Sequence, residues 1–268
     1  MKLSISNIAW DKHDDPVVLS ELRNRNVNGI EVAPTKVWPN WQDANEKQAT
    51  LYRKQLAEEG FEIPAMQAIL FGKPELKVFD SNSHPQFLSH ISRLADISAA
   101  LGSSVLVFGS PKNRFRGQLS ITEAMSIATD FFYSAAEICH DRGCCLGMEH
   151  NPVEYGCDFI TNVADATDLV TRVNNPGFRL HLDSAGVHMC GPDIGHVIRH
   201  AGEFVHYHIS EPLLAPIIDG SVDHASAAQA LRDIGYNGWV SIEMKQPSTS
   251  QALYQSIDDA ISHYVNDQ

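Results

Sequence analysis

Short apolar segments and longer helix-like segments alternate eight times along this chain of 268 residues. The apolar segments have the length of β-strands, and the stretches between them are long enough to carry helices. Parallel strands need a crossover of about a dozen residues or more, so the alternation favours parallel pairing. Eight such units predict an α/β fold, a (β/α)₈ TIM barrel in which helices surround a parallel eight-stranded barrel. An open, doubly wound sheet is the main alternative.

The predicted strands are short runs that end at turn residues or polar side chains. In chain order they read LSISNIA, NGIEVA, FEIPAMQAI, SSVLVFG, CCLGME, FRLHLD, FVHYHIS and WVSIE. Helices are predicted at about residues 16–26, 43–59, 85–101, 122–141, 163–173, 194–200, 224–234 and 251–264. The first strand continues into NIAWDKHDD and not into the GxGxxG pattern of a dinucleotide-binding sheet, which disfavours the open sheet. No domain boundary interrupts the pattern, so we expect residues 1–268 to form a single TIM-barrel domain.

Composition and charge exclude several classes of partner. The chain has 20 Lys and Arg against 33 Asp and Glu, a net charge of −13. We therefore expect neither nucleic acid nor an anionic membrane as a partner, because both attract clustered cations. No apolar run approaches the roughly 20 residues of a membrane span, and the N-terminus lacks a signal-peptide pattern. The five cysteines include no CxxC pair, which is typical of a reducing compartment and predicts a cytoplasmic protein.

Carboxylate or imidazole side chains stand at or near the ends of the last four predicted strands. They are Glu149, Asp183, His208 and Glu243. Successive members are separated by about one βα unit, and the carboxyl ends of barrel strands form the rim that carries active sites, so we expect the four to lie together. Three carboxylates and one imidazole suit a divalent metal in octahedral coordination. Mn²⁺ is the preferred ion, with Mg²⁺, Co²⁺ or Zn²⁺ as alternatives.

A metal site of this composition predicts proton-transfer chemistry on a hydroxy-ketone. Two substrate oxygens can fill open coordination positions, and the metal then stabilises the enediolate that forms when a carbon-bound proton is removed. Each residue also has a simpler interpretation. Asp183 precedes Ser-Ala-Gly and can shape a turn. His206 competes with His208, because both point the same way on a strand while Tyr207 points outward.

These four stretches resemble the xylose isomerase-like TIM-barrel superfamily of sugar phosphate isomerases and epimerases. Among its members, the four stretches resemble those of the D-tagatose 3-epimerase-like ketose epimerases, with inosose isomerases and dehydratases as further relatives. The resemblance implies that Glu149, Asp183, His208 and Glu243 bind the metal. It also implies that Glu149 and Glu243 are the acid and base on opposite faces of the substrate. A small-molecule sugar is the implied partner, and a homodimer or homotetramer is expected by analogy.

The chain departs from these epimerases at two substrate contacts. The epimerases place a histidine three residues after the aspartate, where this chain has Gly186, and its nearest histidine is His188. They also carry an arginine shortly after the histidine ligand, whereas this chain reads HISEPLLAP and has no arginine before Arg232. The resemblance therefore supports the type of reaction more strongly than the identity of the substrate.

Further residues at or beyond the strand ends are candidates for substrate contacts. They are Trp10, Glu31, Gln67, His150, Asn151, His188, Glu211 and Lys245. Capping is the alternative for Glu31 and Gln67, and packing is the alternative for Trp10. His150 and Asn151 can instead support the Glu149 carboxylate.

The loop after the fourth strand concentrates positive charge. Three of its cations are candidates for contact with an anionic group of the substrate: Lys112, Arg114 and Arg116. A solvated loop or a subunit contact is the alternative. Cys144 and Cys145 are expected to pack as small apolar residues beneath Glu149.

The sequence thus predicts a divalent-metal-dependent sugar isomerase or epimerase that acts on a ketose or related keto-polyol. A metal-dependent dehydratase or lyase on a keto-sugar or inosose is the closest alternative, because it shares the enolate step. A phosphodiesterase resembling endonuclease IV would need more metal ligands and basic loops. A non-catalytic sugar-binding barrel is the alternative from a different class.

Overall fold

Eight parallel strands form the centre of the molecule, and the computed structural model describes residues 1–265. The strands are β1 Lys2–Ser6, β2 Gly29–Glu31, β3 Ala65–Met66, β4 Val105–Phe108, β5 Cys145–Glu149, β6 Phe178–Asp183, β7 Phe204–Ser210 and β8 Trp239–Glu243. They pair in the order β2-β1-β8-β7-β6-β5-β4-β3. Parallel bridges from Gly29 to Glu62 and from Val32 to Met66 join the two ends of this order. The predicted (β/α)₈ TIM barrel is therefore confirmed.

Helices surround the barrel and connect its strands. They are α1 Asp15–Asn24, α2 Pro34–Val37, α3 Glu46–Glu58, α4 His84–Leu101, α5 Ile121–His140, α6 Val163–Val173, α7 Ser184–Met189, α8 Ile194–His200, α9 His224–Asp233 and α10 Ser250–Tyr264. Local signals set their ends. At the start of α5, the Ser120 hydroxyl accepts from the Glu123 N–H while the Glu123 carboxylate accepts from the Ser120 N–H. None of the helices within residues 1–265 has the length and apolar character of a membrane span.

Most predicted boundaries lie within a few residues of the observed ones, and β6, β7, β8, α6 and α8 agree residue for residue. Strands β1 to β5 are each shorter than predicted, and a local cause is visible for the first and the third. The first ends at Ser6, whose hydroxyl accepts from the Ile8 N–H and starts a 3₁₀ turn. The third keeps only Ala65 and Met66, because Pro64 before it has no N–H to donate to a neighbouring strand. Helix α7 was not predicted, and Asp183 caps its N-terminus.

The main hydrophobic core lies between the outer faces of the strands and the helices, and it includes Cys144. A smaller cluster fills the lower barrel interior with Ala65, Val105, Val107 and Cys145. The prediction that the two adjacent cysteines pack as small apolar residues is confirmed, although they lie on opposite faces of the sheet. Above the smaller cluster the interior is polar, and this is where the candidate site lies.

Candidate metal centre

Glu149, Asp183, His208 and Glu243 lie together at the carboxyl end of the barrel. Each offers one ligand atom, and these four atoms are all within 4.8 Å of one another. Strand register produces the cluster, because Asp183 on β6 pairs with His208 on β7, and Ser210 on β7 pairs with Glu243 on β8. The structure thus brings together all four residues that the sequence singled out as metal ligands.

The Nδ1 atom of His208 faces the three carboxylates. It lies 3.2 Å from Oε2 of Glu243, 3.8 Å from Oε1 of Glu149 and 4.0 Å from Oδ2 of Asp183. His208 is fully buried, and this nitrogen has no hydrogen-bond partner within the described part of the chain. A buried, unpartnered ring nitrogen is costly unless something binds it, and a cation among the carboxylates would do so.

The other ring nitrogen of His208 is held from below by Glu31. Nε2 of His208 lies 3.0 and 3.2 Å from the two Glu31 oxygens, and Nε2 of His206 lies 3.3 Å from Oε2. All three side chains are buried. Glu31 is therefore a support of His208 and not a group that contacts hydroxyls in the cavity, which corrects the substrate-contact prediction. His206 belongs to the same buried group and does not replace His208.

Electrostatics around His208 favour opposite charges on the ring and on Glu31. Burial opposes charge on His208, but Glu31 and Glu243 outweigh it and hold its pKa well above the usual range. Burial would likewise raise the pKa of Glu31, but the charges of His208 and His206 hold it well below the usual range. In the absence of metal the ring is therefore charged and carries hydrogens on both nitrogens. A cation at Nδ1 would displace one of them, while the hydrogen on Nε2 stays directed at Glu31.

The two carboxylates on β5 and β6 are crowded and buried. Burial, followed by the charges of Asp183 and Glu243, raises the pKa of Glu149 to about 8. Burial and the charge of Glu243 raise the pKa of Asp183 to about 6. Three carboxylates in so small a volume repel one another, and a divalent cation would remove that repulsion. The donor set therefore fits a divalent metal.

Asp183 is fixed by hydrogen bonds to both of its oxygens. Oδ1 accepts from the backbone N–H of Gly186 at 2.6 Å, and Oδ2 accepts a short hydrogen bond from the Ser210 hydroxyl. The first bond caps α7, so the turn-shaping interpretation of Asp183 also holds. One carboxylate thus starts a helix and contributes an oxygen to the cluster.

Glu149 is positioned by a relay that begins at Arg114. Arg114 is fully buried, and its guanidinium donates to the carbonyls of Gly109 and Phe159 at 2.8 and 3.0 Å. It also donates to Oδ1 of Asn151 at 2.8 Å, and Nδ2 of Asn151 donates to Oε2 of Glu149 at 3.4 Å. With its donors committed to the protein, Arg114 does not contact an anionic group of the substrate, which corrects that prediction.

A cavity of about 590 Å³ opens above the cluster. Its lining includes Glu149, Asp183 and Glu243, and also three predicted contacts: Gln67, Asn151 and Lys245. The remaining lining residues are Ala68, Val107, Gly109, Ser110, Pro111, Tyr155, Ala185, Ser210, Leu213 and Leu214. The volume is typical of a site for a small molecule.

Several predicted substrate contacts lie elsewhere. Trp10 is buried and donates from Nε1 to Asp15 at 2.7 Å, lining a separate cleft. Glu211 turns away from the cavity, because its oxygens accept from the Ser221 N–H at 2.9 Å and approach Nε2 of His224 at 3.0 Å. These predictions are corrected by the packing of loops that the sequence alone does not reveal.

The remaining predicted contacts are outside the cavity as well. His188 is exposed on α7, and Lys112 is exposed on its loop. Arg116 donates from Nε to the carbonyl of Asp158 at 3.0 Å. His150 is fully buried beside Gly186, and burial lowers its pKa to about 4. It is therefore a neutral packing group next to the α7 turn rather than a residue of the cavity wall.

Sequence reasoning missed Tyr155, Ser210 and His181. The Tyr155 hydroxyl accepts from the backbone N–H of Leu213 at 3.0 Å, joining the loops after β5 and β7. His181 lies two residues before Asp183 on the same face of β6, and its Nε2 is 3.8 Å from Oε1 of Glu149. Residues two apart on a strand point to the same face, so the positions of Asp183 and His208 could have indicated His181 and Ser210. No comparable signal marks Tyr155.

A family model described as "Xylose isomerase-like TIM barrel" matches residues 19–262. The curated proteins contain no match to the chain. Among solved structures, D-psicose 3-epimerase with D-tagatose from Clostridium cellulolyticum H10 is similar, with a TM-score of 0.81 and 15% identity over 98% of this chain and 99% of that one.

Two further solved structures are similar over nearly their whole length. The IolI protein with a bound zinc atom has a TM-score of 0.75 and 17% identity, covering 99% of this chain and 100% of that one. The probable 3-DHS dehydratase AsbF from Bacillus anthracis has a TM-score of 0.76 and 15% identity, with coverage of 99% and 100%. The TM-scores establish a shared fold, and at identities this low the similarity shows the fold alone.

Proposed function

The chain belongs to the xylose isomerase-like TIM-barrel family, and on this basis we propose that it is a divalent-metal-dependent sugar isomerase or epimerase acting on a ketose or related keto-polyol. One observation carries the proposal. The unpartnered Nδ1 of His208 faces three carboxylates at the floor of a cavity. Two of these carboxylates, Glu149 on β5 and Glu243 on β8, are separated by the strands β6 and β7.

Glu149 and Glu243 are proposed as the proton-transfer pair. Both carboxylates line the cavity, so each can hold one oxygen in the cluster and direct the other toward a substrate carbon or hydroxyl. One glutamate removes the proton next to the carbonyl, and the other returns a proton to the opposite face or to the neighbouring oxygen. Asn151 orients Glu149 for this role through the Arg114 relay.

The proposed ligands of the cation are Glu149, Asp183, His208 and Glu243. A bound divalent cation would act as a Lewis acid that lowers the energy of negative charge on the substrate oxygens. The apolar residues Leu213 and Leu214 border the cavity and limit water around the reacting carbon. Mn²⁺ is the proposed ion.

Two of the structural neighbours support this proposal. One is a ketose epimerase solved with D-tagatose, and the other is solved with a zinc atom. The same fold therefore binds a ketose in one neighbour and a metal ion in the other, and the cavity and the carboxylate cluster of the present chain suit these two kinds of ligand. The sugar and the divalent metal come to this chain as parts of the proposal.

Solvent exchange tests the proposal directly. The protein is incubated with Mn²⁺ and a broad panel of ketoses in heavy water, and deuterium is measured at the carbon next to the carbonyl. Glu149→Gln and Glu243→Gln should each lower exchange by about 10²-fold or more while circular dichroism is unchanged. Glu62→Gln, an exposed glutamate outside the cavity, is the control. Absence of deuterium across the whole panel would overturn the proposal.

A dehydratase is the second candidate, favoured by the similarity to the probable 3-DHS dehydratase. The first proton removal is the same, and a β-hydroxyl then leaves as water. Tyr155 lines the cavity, and its hydroxyl is proposed to protonate that leaving oxygen. A product lighter by one water in mass spectrometry decides for this candidate.

A further inference from the structure

A second cavity of about 510 Å³ lies beside the one above the metal centre. The two cavities share one lining residue, Ala68, which follows β3. Gln67 lines the first cavity immediately before this junction. The shared residue places the second cavity within reach of a molecule that is held at the metal centre and is longer than a single ring.

Two aromatic side chains form one wall of the second cavity, Trp41 and Phe71. Nε1 of Trp41 donates to the carbonyl of Phe71 at 2.9 Å, which ties the two residues together. The Trp41 ring also packs edge-on against His90, with ring centroids 4.9 Å apart. His90 in turn contacts the carbonyl of Ile69 through Nε2 at 2.9 Å. The Trp41 ring is therefore held in place before any ligand arrives, and the Phe71 backbone is tied to it.

Phe71 is unusually exposed for a phenylalanine. Its relative accessibility is 68%, whereas most phenylalanines of this chain are buried in the core. A single exposed apolar ring is common on protein surfaces, but this one also lines the second cavity beside Trp41, where a ligand can cover it. The backbone at the junction is also unusual, because Ala68 has a φ of +52° and its carbonyl accepts from the Phe71 N–H at 3.0 Å. Such strain is characteristic of ligand sites.

The lining of the second cavity also includes four polar residues, Lys36, Asn40, Gln42 and Lys73. Lys73 lies 3.7 Å from a carboxylate oxygen of Glu75, so part of its charge is already balanced. A cavity lined by both aromatic rings and hydrogen-bonding side chains matches a pyranose ring, which has a C–H face and a rim of hydroxyls. A strongly anionic ligand fits this cavity less well, because Glu75 already offsets part of the positive charge of Lys73.

We propose that this aromatic subsite (Ala68, Trp41, Phe71, Lys36, Lys73) binds the second ring of a glycosylated ketose whose ketose portion lies at the metal centre. The inference rests on the proposed function and narrows its substrate class. The second ring packs its C–H face on Phe71, and its hydroxyls contact Lys36 and Lys73. The substrate is then a disaccharide-sized ketose rather than a free ketose.

The test compares free and glycosylated ketoses in the deuterium exchange assay with Mn²⁺. D-fructose is the free ketose, and turanose, lactulose and isomaltulose carry a second ring at different positions. Phe71→Ala should lower kcat/KM for at least one glycosylated ketose by about tenfold and change it for D-fructose by less than about twofold. Phe115→Ala is the matched control, because Phe115 is 58% exposed and lines neither cavity in the described structure.

Calorimetry measures the binding of the same four sugars without turnover. It therefore tests the aromatic subsite independently of the proposed function. Failure of every ketose to exchange deuterium would overturn the proposed function, and the subsite is then judged by binding alone. Tighter binding of a glycosylated ketose to the wild type than to Phe71→Ala supports the subsite. Equal affinity in both proteins, or no binding of any glycosylated ketose to the wild type, overturns it.

Discussion

The imidazole of His208 is held between Glu31 below and three carboxylates above. Nε2 of His208 lies 3.0 Å from Oε1 of Glu31, while its Nδ1 lies 3.2 Å from Oε2 of Glu243. Because both His208 and Glu31 are fully buried, the contact between them is shielded from solvent. The barrel interior therefore sets the orientation of the ring and the tautomer it presents to the cavity.

Loss of the Glu31 charge should weaken cation binding. Glu31→Gln keeps the shape of the side chain but removes the charge that makes the His208 ring a stronger ligand. We expect Mn²⁺ affinity to fall by about tenfold or more, measured by titration against a competing chelator. Glu62→Gln is the control, since Glu62 is exposed and pairs with Lys2. Equal Mn²⁺ affinity in the two variants would show that Glu31 does not support the site.

The metal-free protein should lose stability as pH rises toward 8. The pKa of Glu149 is about 8 in the folded state against an ordinary 4.5, so the folded protein keeps a proton that the unfolded chain releases. Its stabilising contribution is complete below the ordinary pKa and is lost as pH rises through the folded pKa. Asp183, with a pKa of about 6 against 3.8, acts in the same direction.

This pH dependence is measurable as a thermal midpoint. With chelator present, we expect Tm to be lower by a few degrees at about pH 8.5 than at about pH 6. Saturating Mn²⁺ should remove most of the difference at the higher pH, because the cation replaces the protons. Glu149→Gln should flatten the metal-free profile. A wild-type Tm that is constant or rises over this interval would contradict the prediction.

Adding a methyl group at Gly109 should disturb the site without disturbing the barrel. A Cβ at this position would lie 1.9 Å from Oε2 of Glu149, so the carboxylate must move. We expect Gly109→Ala to lower both Mn²⁺ affinity and exchange activity by about tenfold or more, with little change in the metal-free Tm. Combining it with Glu149→Asp, which shortens the carboxylate, tests whether affinity recovers once the collision is relieved.

Arg114 should prove to be a structural residue that also orients Glu149. Arg114→Met leaves the carbonyls of Gly109 and Phe159 without a buried donor and frees Asn151. We expect unfolding free energy to fall by about 3 kcal/mol in denaturant titration. Lys112→Met, an exposed neighbour on the same loop, should have almost no effect. Comparable losses of unfolding free energy in the two variants would show that Arg114 does not have this structural role.

Most of the barrel could be predicted from the sequence, because apolar periodicity and helix-ending glycines are local signals. The grouping of the four candidate ligands was predictable for a similar reason: parallel strands of one barrel present their carboxyl ends at one rim. The shortening of β3 at Pro64 and the capping of α7 by Asp183 were the main departures. In both cases a single backbone hydrogen-bonding group decided the outcome.

Roles that depend on depth or on loop packing could not be predicted. Glu31 stands at a strand end in the sequence, yet it lies beneath His208 because of the register between β1 and β2. Arg114 and Glu211 belong to polar loops, and their partners come from distant segments. A charged side chain at a rim can turn outward, inward or into the loop itself, and only tertiary contacts decide among these.

Gly186 lies in the turn beside Asp183, and its surroundings limit which residue can replace it. A Cβ there would lie 2.9 Å from Nε2 of His150, a fully buried ring, and 3.2 Å from Oδ1 of Asp183. A larger residue at position 186 therefore requires the His150 ring to shift. Substitutions at positions 186 and 150 should then be non-additive, because the two side chains would occupy the same space.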